Sequence, residues 1–471
     1  MSAEYDLVII GNSPEGIQAA IMAASLNARV ALVKQDSKQD NFSYSQTVAN
    51  RTWAHLGHKK QKLQELGLDF NLLLSPYQWT ETVLANLQEL QSPALLAALG
   101  VDLVVGEGEF CRLPHLAFVV AQRRLQAHSY LLAMGSCPQR PQIEGIEQVI
   151  HLGSTILQKQ DSWDSLPQNL AVVGFDSRAV ELAQTLVYWG KNITLITAQE
   201  SLLPYEEPEA ELLLQAQLEG EGVHLVTGST VTQVKQIGEQ KWLQAGNRAI
   251  EVDEIIWVAQ QKPKLAKLNF EGVGVICNQK GVVVNEKLQT TNPRIYACGD
   301  VLGGYRLAHI AQYEATIAVK NALFFPWFKV NYQVIPWVIF TEPSLARVGM
   351  TENQAKARYG KEVFVVKQYF KNVTQAIIRD ATTGFCKLVV RHNGEILGAC
   401  IVGQDAGELI GTIAVAIKEK IKLGQLSDIP SPLPTMSAII SQTALEWQQQ
   451  SWRRNRLLRS WLEFWWHWRR N

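Results

Sequence analysis

An apolar strand that runs directly into a glycine turn constrains the fold of this chain more than any other feature. Residues 7–10 are rich in β-branched side chains, as in a strand buried on both faces, and Gly11 ends the run. Residues 17–26 then carry the alanines of a helix that packs closely on a sheet, and residues 28–33 form a second apolar run. Strand, turn, helix and strand in this order predict the first unit of a dinucleotide-binding α/β fold, whose helix N-terminus attracts a pyrophosphate.

This turn matches the G-x-G-x-x-G pattern only in part. Gly11 and Gly16 occupy the first and third glycine positions, and Ser13 occupies the second, where serine is small enough to let a phosphate approach the backbone. Lys34 ends the second strand, where an acidic residue would bind a ribose. Taken alone, the pattern leaves a nucleotide site and an ordinary strand-to-helix turn equally open.

Length and composition set the class of protein. A chain of 471 residues is expected to form about three domains, and 47% hydrophobic with 19% charged residues is typical of globular proteins. The formal net charge is zero, which gives no reason to expect a nucleic acid partner. The N-terminus shows no secretory signal pattern and no apolar run reaches the roughly 18 residues of a membrane span, so we expect a cytoplasmic chain.

The six cysteines are scattered singly along the chain. None forms a C-x-x-C pair or a close cluster, so neither a metal site nor a local redox pair is predicted. Their positions within predicted strands favour reduced, buried thiols, as is typical of cytosolic proteins.

The opening unit is repeated further along the chain. Residues 170–183 again combine an apolar strand, a turn at Gly174 and a helix, and residues 192–196 form the next strand. Asp176 occupies the middle glycine position, where a carboxylate would repel a pyrophosphate, and Thr197 after the second strand favours neither NAD nor NADP. The repeat predicts two nucleotide domains in tandem, and it leaves open whether the second binds a nucleotide or only keeps the fold.

Two further segments place small or acidic residues at strand ends. Residues 129–136 predict a strand that ends in a small-residue turn at Ala133 and Gly135. Residues 294–301 predict an apolar strand that ends in a Gly-Asp step, with the carboxylate at Asp300. A carboxylate at the carboxyl edge of a parallel sheet lies where open α/β sheets bind their ligands.

The remaining segments differ in character. Residues 41–56 are predicted to be polar and irregular, and we expect His55 and His58 to be solvated in a polar loop. An α+β region is predicted beyond residue 336, with three antiparallel strands and one helix over residues 363–369, 384–391, 396–403 and 406–423.

Together these segments resemble the flavin-dependent pyridine nucleotide–disulfide oxidoreductases, the family of dihydrolipoamide dehydrogenase, mercuric reductase and glutathione reductase. The likeness extends from residue 4 to about residue 440. Order and spacing across many blocks carry it rather than any single motif. The blocks include the first glycine turn, Ala133-Met134-Gly135, Cys298-Gly299-Asp300, the helix with His309 and Glu314, and Phe340-Thr341-Glu342-Pro343.

The resemblance implies an α/β fold with two Rossmann-like FAD- and NAD(P)-binding domains and a C-terminal α+β dimerisation domain, and hence a homodimer. The implied parts are FAD-binding segments 1–160 and 276–330, an NAD(P)-binding-like domain 161–275, a dimerisation domain 331–445 and an amphipathic tail 446–471. The residues implied to hold FAD are Gly11, Ser13, Gly16, Lys34, Ala133, Gly135, Asp300 and His309. Those implied to hold NAD(P)H, in a degenerate site, are Gly174, Ala179 and Glu181.

The chain departs from the family at its catalytic positions. Ser45 and Asn50 stand where the resemblance places the two redox cysteines, and Ala54 stands for the lysine that follows them. Leu433 and Ala438 replace the C-terminal histidine and glutamate. Without thiolates or an imidazole, dithiol–disulfide exchange by the family mechanism is excluded and no catalytic residue is predicted.

Two functions remain open. The first is a flavoprotein that passes electrons from NAD(P)H through FAD to an unknown acceptor, because hydride chemistry belongs to the cofactor. The second is a non-catalytic relative with a binding, regulatory or membrane-surface role, which Asp176, Thr197 and Lys34 favour. The tail from residue 447 is rich in tryptophan and arginine at helical spacing, and a membrane surface and a protein partner fit it equally well.

Overall fold

The computed structural model describes residues 3–35, 42–68, 75–89, 91–139, 141–151, 166–265, 268–454 and 456–470. Its strands are β1 (Tyr5–Ile10), β2 (Val30–Lys34), β3 (Asp102–Val105), β4 (Gly108–Cys111), β5 (Ala117–Val120), β6 (Arg123–Leu125), β7 (Ala127–Leu132), β8 (Ser136–Pro138), β9 (Ile150–His151), β10 (Asn169–Val173), β11 (Asn192–Ile196), β12 (His224–Val226), β13 (Val231–Ile237), β14 (Gln240–Ala245), β15 (Arg248–Val252), β16 (Glu254–Trp257), β17 (Gln261–Pro263), β18 (Ile295–Ala297), β19 (Trp337–Ile339), β20 (Ser344–Gly349), β21 (Val363–Tyr369), β22 (Phe385–Arg391) and β23 (Ile396–Gly403).

The α-helices are α1 (Pro14–Ser25), α2 (Phe42–Glu65), α3 (Pro76–Glu89), α4 (Pro93–Ala98), α5 (Ser177–Tyr188), α6 (Pro208–Gly220), α7 (Ala308–Leu323), α8 (Glu352–Tyr359), α9 (Thr374–Ile378), α10 (Ala406–Lys418), α11 (Leu423–Ser427), α12 (Ala438–Arg454) and α13 (Arg456–Arg470). Within the described residues, no helix is both long enough and apolar enough to cross a membrane.

The chain divides into two compact units. Unit 1 comprises Met1–Gly174, Tyr188–Asn192 and Thr230–Val330, and unit 2 comprises Phe175–Val187, Ile193–Ser229 and Asn331–Asn471. The domain boundaries expected from the sequence stay a prediction.

The main sheet of unit 1 is parallel and has the strand order β18-β7-β1-β2-β3. Alternate side chains of β1 point to opposite faces, so each face has its own core. Val8 and Ile10 join a cluster with the aromatic side chains of β4 and β5, whereas Leu7 and Ile9 join a cluster with the alanines of α1 and α7. Both faces of β1 are covered, which explains why every residue of the run 7–10 is apolar.

Unit 1 also contains smaller sheets. Strands β4, β5 and β6 form one antiparallel sheet, and β13, β14 and β15 form another. Strand β8 pairs with β17 in antiparallel fashion, and β16 pairs in parallel with both β10 and β9.

Unit 2 is built on an antiparallel sheet with the strand order β19-β20-β23-β22-β21. Cys386, Leu388 and Val390 of β22 face a core that is completed by apolar side chains of α10 and α12. In the same unit, β11 pairs in parallel with β12.

A buried lysine lies on the other face of β22. The ammonium of Lys387 lies 2.9 Å from a carboxylate oxygen of Glu207 and 2.6 Å from one of Glu352. Burial opposes the charge of Lys387, but the hydrogen bonds with Glu352 and Glu207 outweigh it and raise the pKa of the ammonium above its ordinary value. The lysine therefore links α8, β22 and the residue that precedes α6.

Helix α2 contradicts the prediction of an irregular segment over residues 41–56. Ala49, Trp53 and Leu56 are spaced at helical intervals and are buried, so the helix follows from an apolar stripe that its polar flanks obscured. The predicted loop at His55 and His58 is also a helix, because both lie on α2. His55 is exposed as predicted, whereas His58 is half-buried and its ring packs 5.6 Å from that of Tyr188.

Most other elements agree with the predictions made from the sequence. The strands predicted over residues 192–196, 363–369 and 396–403 are confirmed to the residue. The helix predicted over residues 406–423 ends instead at Lys418, because Lys420 adopts a left-handed φ of 56° before α11 begins. The six cysteines form no disulfide with one another; Cys298, Cys386 and Cys400 are buried and the other three are half-buried.

We predict that Lys387→Met destabilises the protein. The variant keeps most of the volume but leaves the buried Glu207 without its cation and Glu352 with only the exposed Lys356, which should lower the free energy of unfolding by about 3–5 kcal/mol. Urea denaturation followed by circular dichroism measures the change. The matched control is Lys367→Met, since Lys367 pairs at 2.5 Å with the exposed Glu209 and its loss should cost less than about 1 kcal/mol. Equal midpoints for the two variants would contradict a stabilising role for the buried network.

Candidate cofactor site

Three turns of unit 1 meet at the carboxyl edge of its parallel sheet. The backbone N–H of Ala133 donates to the carbonyl of Ile10 at 2.8 Å, and that of Cys298 donates to the carbonyl of Leu132 at 3.0 Å. These bonds hold the ends of β1, β7 and β18 side by side. The first glycine turn, the Ala133–Gly135 turn and the short 3₁₀ turn Gly299–Leu302 therefore begin at one edge, where α/β sheets bind ligands.

The two glycines of the first turn are required by close backbone approach. Gly11 has a φ of 109°, and a Cβ at this position would lie 2.1 Å from the carbonyl oxygen of Ala133. A Cβ on Gly16 would lie 2.4 Å from the carbonyl oxygen of Gly11. The turn is thus tightly packed, and the N-terminus of α1 points out of it with its partial positive charge.

Ser13 does more in the turn than replace a glycine. It is the N-cap of α1: its hydroxyl oxygen accepts from the backbone N–H of Gly16 at 3.3 Å and donates to the carbonyl of Ala133 at 2.8 Å. The hydroxyl therefore connects the first turn to the second. Its cap role could have been predicted from the Ser-Pro start, since proline favours the first helical position.

Asp300 lies in the third turn with its carboxylate half-buried. The hydroxyl of Ser136 donates to this carboxylate at 2.5 Å, which fixes the carboxylate beside the end of β7. Ser136 was not identified from the sequence, and its position directly after the Gly135 turn was the available signal. Gly135 has a φ of 67°, and its Cβ position lies 3.9 Å from the Cβ of Ser13. Asp300, Gly135 and Ser13 therefore belong to one neighbourhood.

Two buried carboxyl groups lie beneath the three turns. Glu314 of α7 accepts the backbone N–H of Gly299 at 2.7 Å, and a carboxyl oxygen of Glu15 lies 2.6 Å from the Cβ position of Gly299. Burial raises the pKa of Glu15 to about 7; its hydrogen bond with Ser13 opposes the shift, and the carboxylates of Asp300 and Glu314 add to it. Glu15 was not identified from the sequence as a site residue. Its position between Pro14 and Gly16 in so tight a turn was the available signal.

The protonation of Glu15 decides the charge of the turn. Below about pH 7 this carboxyl is largely neutral, so it does not oppose an anion at the N-terminus of α1. The neighbouring Cys298 is fully buried, and burial beside Glu15 and Glu314 raises the pKa of its thiol well above the ordinary value. Cys298 is therefore a packing residue and not a nucleophile.

The remaining predicted flavin residues lie at the rim of this edge. Lys34 ends β2 with its side chain exposed, and its carbonyl accepts the backbone N–H of Gly106 at 2.9 Å. His309 is the second residue of α7 and is exposed. These positions do not test whether Lys34 and His309 bind FAD, so both stay predictions.

The residues of the second turn fall in different units. Gly174 follows β10 in unit 1, whereas Ala179 and Glu181 lie on α5, which belongs to unit 2 up to Val187. Ala179 is buried and donates its N–H to the carbonyl of Asp176 at 3.0 Å. The carboxylate of Glu181 accepts the backbone N–H of Phe340 at 3.0 Å, which ties α5 to the start of the antiparallel sheet of unit 2.

Asp176 is paired rather than isolated. Its carboxylate lies 2.6 Å from the guanidinium of Arg178, and it also accepts the backbone N–H of Arg178 at 3.1 Å. The ion pair offsets the negative charge that the sequence placed at the N-terminus of α5. The pair repels a nucleotide phosphate less than a lone carboxylate would. That this nucleotide site is degenerate stays a prediction.

Helix α2 carries Ser45 and Asn50. Both are half-buried, and the side-chain oxygen of Asn50 is buried without a hydrogen-bond partner among the described residues. A buried amide oxygen without a partner is costly in a folded protein.

Near the C-terminus, Leu433, which stands where the resemblance places a histidine, is 76% exposed in the single chain.

We predict that Glu15 makes the stability of the flavin-free protein depend on pH. The folded pKa of about 7 exceeds the ordinary value of 4.5, so stability should fall as the pH rises from 4.5 through 7 and then level off. Glu15→Gln removes this loss and should be more stable than the parent by on the order of 3 kcal/mol near pH 8.5, but by less than about 1 kcal/mol near pH 5.

Urea unfolding at several pH values measures this difference. Glu109→Gln, at an exposed carboxyl of β4, is the matched control and should follow the parent. A Glu15→Gln profile that parallels the parent at every pH would show that Glu15 is not protonated in the fold.

Sequence comparison identifies relatives of the whole chain. A mercuric reductase from Staphylococcus aureus is 31% identical over 455 residues, which cover 94% of this chain and 82% of that protein. A dihydrolipoyl dehydrogenase from Bacillus subtilis (strain 168) is 27% identical over 458 residues, which cover 93% of this chain and 98% of that protein.

Two solved structures share the fold. LpdA from Mycobacterium tuberculosis matches with a TM-score of 0.84, and the HOCl-induced flavoprotein disulfide reductase RclA from Escherichia coli matches with a TM-score of 0.81. Each is 23% identical and covers 94% of this chain and 99% of its own. These likenesses, with the two family domains below, confirm the predicted α/β architecture with a C-terminal dimerisation domain.

Family comparison agrees with both sets of relatives. The pyridine nucleotide-disulphide oxidoreductase domain matches residues 5–315, and the dimerisation domain of the same family matches residues 335–444. The second match is consistent with a homodimer. The chain therefore belongs to the pyridine nucleotide-disulphide oxidoreductase family.

Proposed function

We propose that this chain binds FAD and passes electrons from NAD(P)H through it to an acceptor other than a disulfide. The observation that carries the proposal is the convergence of the Gly11, Gly135 and Asp300 turns at one sheet edge of unit 1. Bound FAD would supply hydride and electron transfer, which is chemistry of the cofactor. The residues of the chain bind and orient it.

The residues at this edge fit FAD. The N-terminus of α1 would hold the pyrophosphate, and Ser13 leaves the backbone as accessible as a small residue allows. The carboxylate of Asp300 is held in place by Ser136 and would accept hydrogen bonds from the hydroxyls of the ribityl chain. Glu15 does not oppose the phosphates below about pH 7, because its raised pKa keeps it largely neutral.

Helix α2 supports an acceptor that is not a disulfide. Residues 42–65 contain no cysteine, and the resemblance to the family places Ser45 and Asn50 against the flavin. Neither side chain forms a thiolate or a disulfide at physiological pH. The unpaired side-chain oxygen of Asn50 marks a polar group that a bound ring could satisfy, either directly or after a flip of the amide. The flavin would then be the only redox centre.

The second nucleotide is NADH or NADPH, bound at the N-terminus of α5. The pairing of Asp176 with Arg178 supports binding, because the pair is close to neutral. We further propose that the protein acts as a homodimer in the cytoplasm, where its six thiols would stay reduced.

An absorbance spectrum of the purified protein tests the proposal. We expect the two visible bands of an oxidised flavin, and we expect them to bleach on anaerobic addition of NADH or NADPH. Asp300→Ala should lose most of its flavin, since the variant removes the carboxylate that anchors the ribityl chain. Glu239→Ala, at an exposed turn between β13 and β14 of the same unit, is the matched control and should keep it.

Other outcomes separate the alternatives. Flavin that neither nucleotide bleaches would reject the oxidoreductase and favour a binding or regulatory flavoprotein. A colourless protein that takes up no FAD on reconstitution would reject both.

We predict that Asp176→Asn binds NAD(P)H more tightly than the parent. The substitution removes a carboxylate from the N-terminus of α5 and releases Arg178 to pair with a phosphate. The dissociation constant, measured by nucleotide fluorescence, should fall about fivefold, which corresponds to roughly 1 kcal/mol. Asp428→Asn, at an exposed position of unit 2, is the control. Weaker binding by Asp176→Asn would show that the carboxylate helps to hold the nucleotide.

A further inference from the structure

The C-terminal helix leaves the core of unit 2. Helix α12 is anchored, because Ala444 is buried, Trp447 packs against the core and the guanidinium of Arg454 lies 3.7 Å from the ring centre of Phe364. Helix α13 follows, and of its residues 460–470 only Leu462 is even half-buried. Among the described residues of the single chain, residues 460–470 of α13 are therefore almost uncovered.

One side of α13 is almost entirely aromatic. Trp461, Phe464, Trp465 and Trp468 recur at intervals of three and four residues and form what we call the aromatic face. The rings of Trp461 and Trp465 are stacked, with centres 5.7 Å apart, and Trp468 lies 5.3 Å from Trp465. Trp461 is 55% exposed and Trp468 is 64% exposed, which is unusual for side chains so apolar.

The charge around this face is mainly positive. Residues 453–470 contain six arginines and a single acidic residue, Glu463. The rest of the chain compensates, because the formal net charge of the whole protein is zero. A tryptophan-rich helix with this local charge complements the headgroup region of an anionic bilayer, where indole rings prefer to lie and where arginines meet lipid phosphates.

A separate segment of unit 1 has the same character. Residues 324–328, which we call the aromatic loop, follow α7 and expose Phe324, Phe325, Trp327 and Phe328. The rings of Phe325 and Trp327 are stacked 5.1 Å apart, and the ammonium of Lys320 lies 5.3 Å from the ring of Phe328. Exposed aromatic rings beside cations thus occur twice, on elements far apart in the sequence.

We propose that the aromatic face docks the protein on the surface of an anionic lipid bilayer, and that the aromatic loop, taken by itself, is a second segment that binds such a surface. A bilayer can bind either segment without a shaped pocket, because aromatic rings insert into the headgroup layer and need no complementary surface there. A protein partner would need a recess shaped for each segment. This inference concerns location and is independent of the proposed electron transfer.

The position of the loop defines which side of unit 1 meets the lipid. Gly299 packs against Ala311 in the first turn of α7, and the aromatic loop begins after the last turn. A helix of 16 residues is about 24 Å long. The loop therefore contacts lipid at the end of α7 away from the Asp300 turn.

Sedimentation with vesicles tests the proposal on the full-length protein. We expect binding to vesicles of equal parts phosphatidylglycerol and phosphatidylcholine, little binding to pure phosphatidylcholine, and weakening by salt. Replacing Trp461, Trp465 and Trp468 together by serine should lower the partition coefficient at least about tenfold. Trp466→Ser is the matched control, because this exposed residue is turned about 100° around the helix from Trp465.

The aromatic loop is tested in the same assay. Trp327→Ser should weaken binding, whereas Tyr205→Ser, at a site that is 77% exposed, should not. Thermal melts of all variants check that these surface changes leave the fold intact.

Four results would overturn the proposal, three of them in the vesicle assay. These are equal binding to both vesicle types, no binding to either, or unchanged binding by the triple variant. A larger assembly without lipid that the triple variant dissociates would also overturn it and assign the face to a second copy. Because vesicle binding needs no bound flavin, each result is separate from the outcome of the flavin spectrum.

Discussion

The close approach of Gly11 to the carbonyl of Ala133 is the constraint on which the candidate site depends. A side chain at residue 11 would occupy the space of that oxygen, so the first turn stays tight only with glycine. Ser13 then bridges the same carbonyl and caps α1. Strand pairing carries the arrangement across to β18, where Asp300 is held by Ser136. A few backbone and hydroxyl contacts thus position Ser13, Gly135 and Asp300 at one edge of the sheet.

Much of this could be predicted from the sequence because it depends on short-range pattern. The turns at Gly11 and Ala133 and the strands of unit 2 follow from apolar runs ended by small residues. Helix α2 was missed, since only Ala49, Trp53 and Leu56 mark its buried stripe among polar residues. The contacts of Glu15 with the Gly299 turn and of Asp176 with Arg178 required coordinates, because they depend on side-chain direction.

The chain combines a retained scaffold with altered chemical positions. Gly11, Gly16 and Glu314 are closely packed in the turns, whereas α2 carries Ser45 and Asn50 at the positions where the sequence resemblance leads us to expect thiols. Buried side chains such as Trp53 hold this helix in place. Family membership therefore sets the scaffold, and function has to be argued from the residues at the site.

An anaerobic dithionite titration followed by absorbance tests most directly whether flavin is the only redox centre. A flavin without a partner disulfide takes up two electrons per bound FAD and bleaches in a single phase. We predict this stoichiometry, with no long-wavelength band that would indicate a thiolate beside the ring. Uptake of four electrons per FAD, or such a band, would contradict the proposal, because it would require a redox-active cysteine pair elsewhere in the chain.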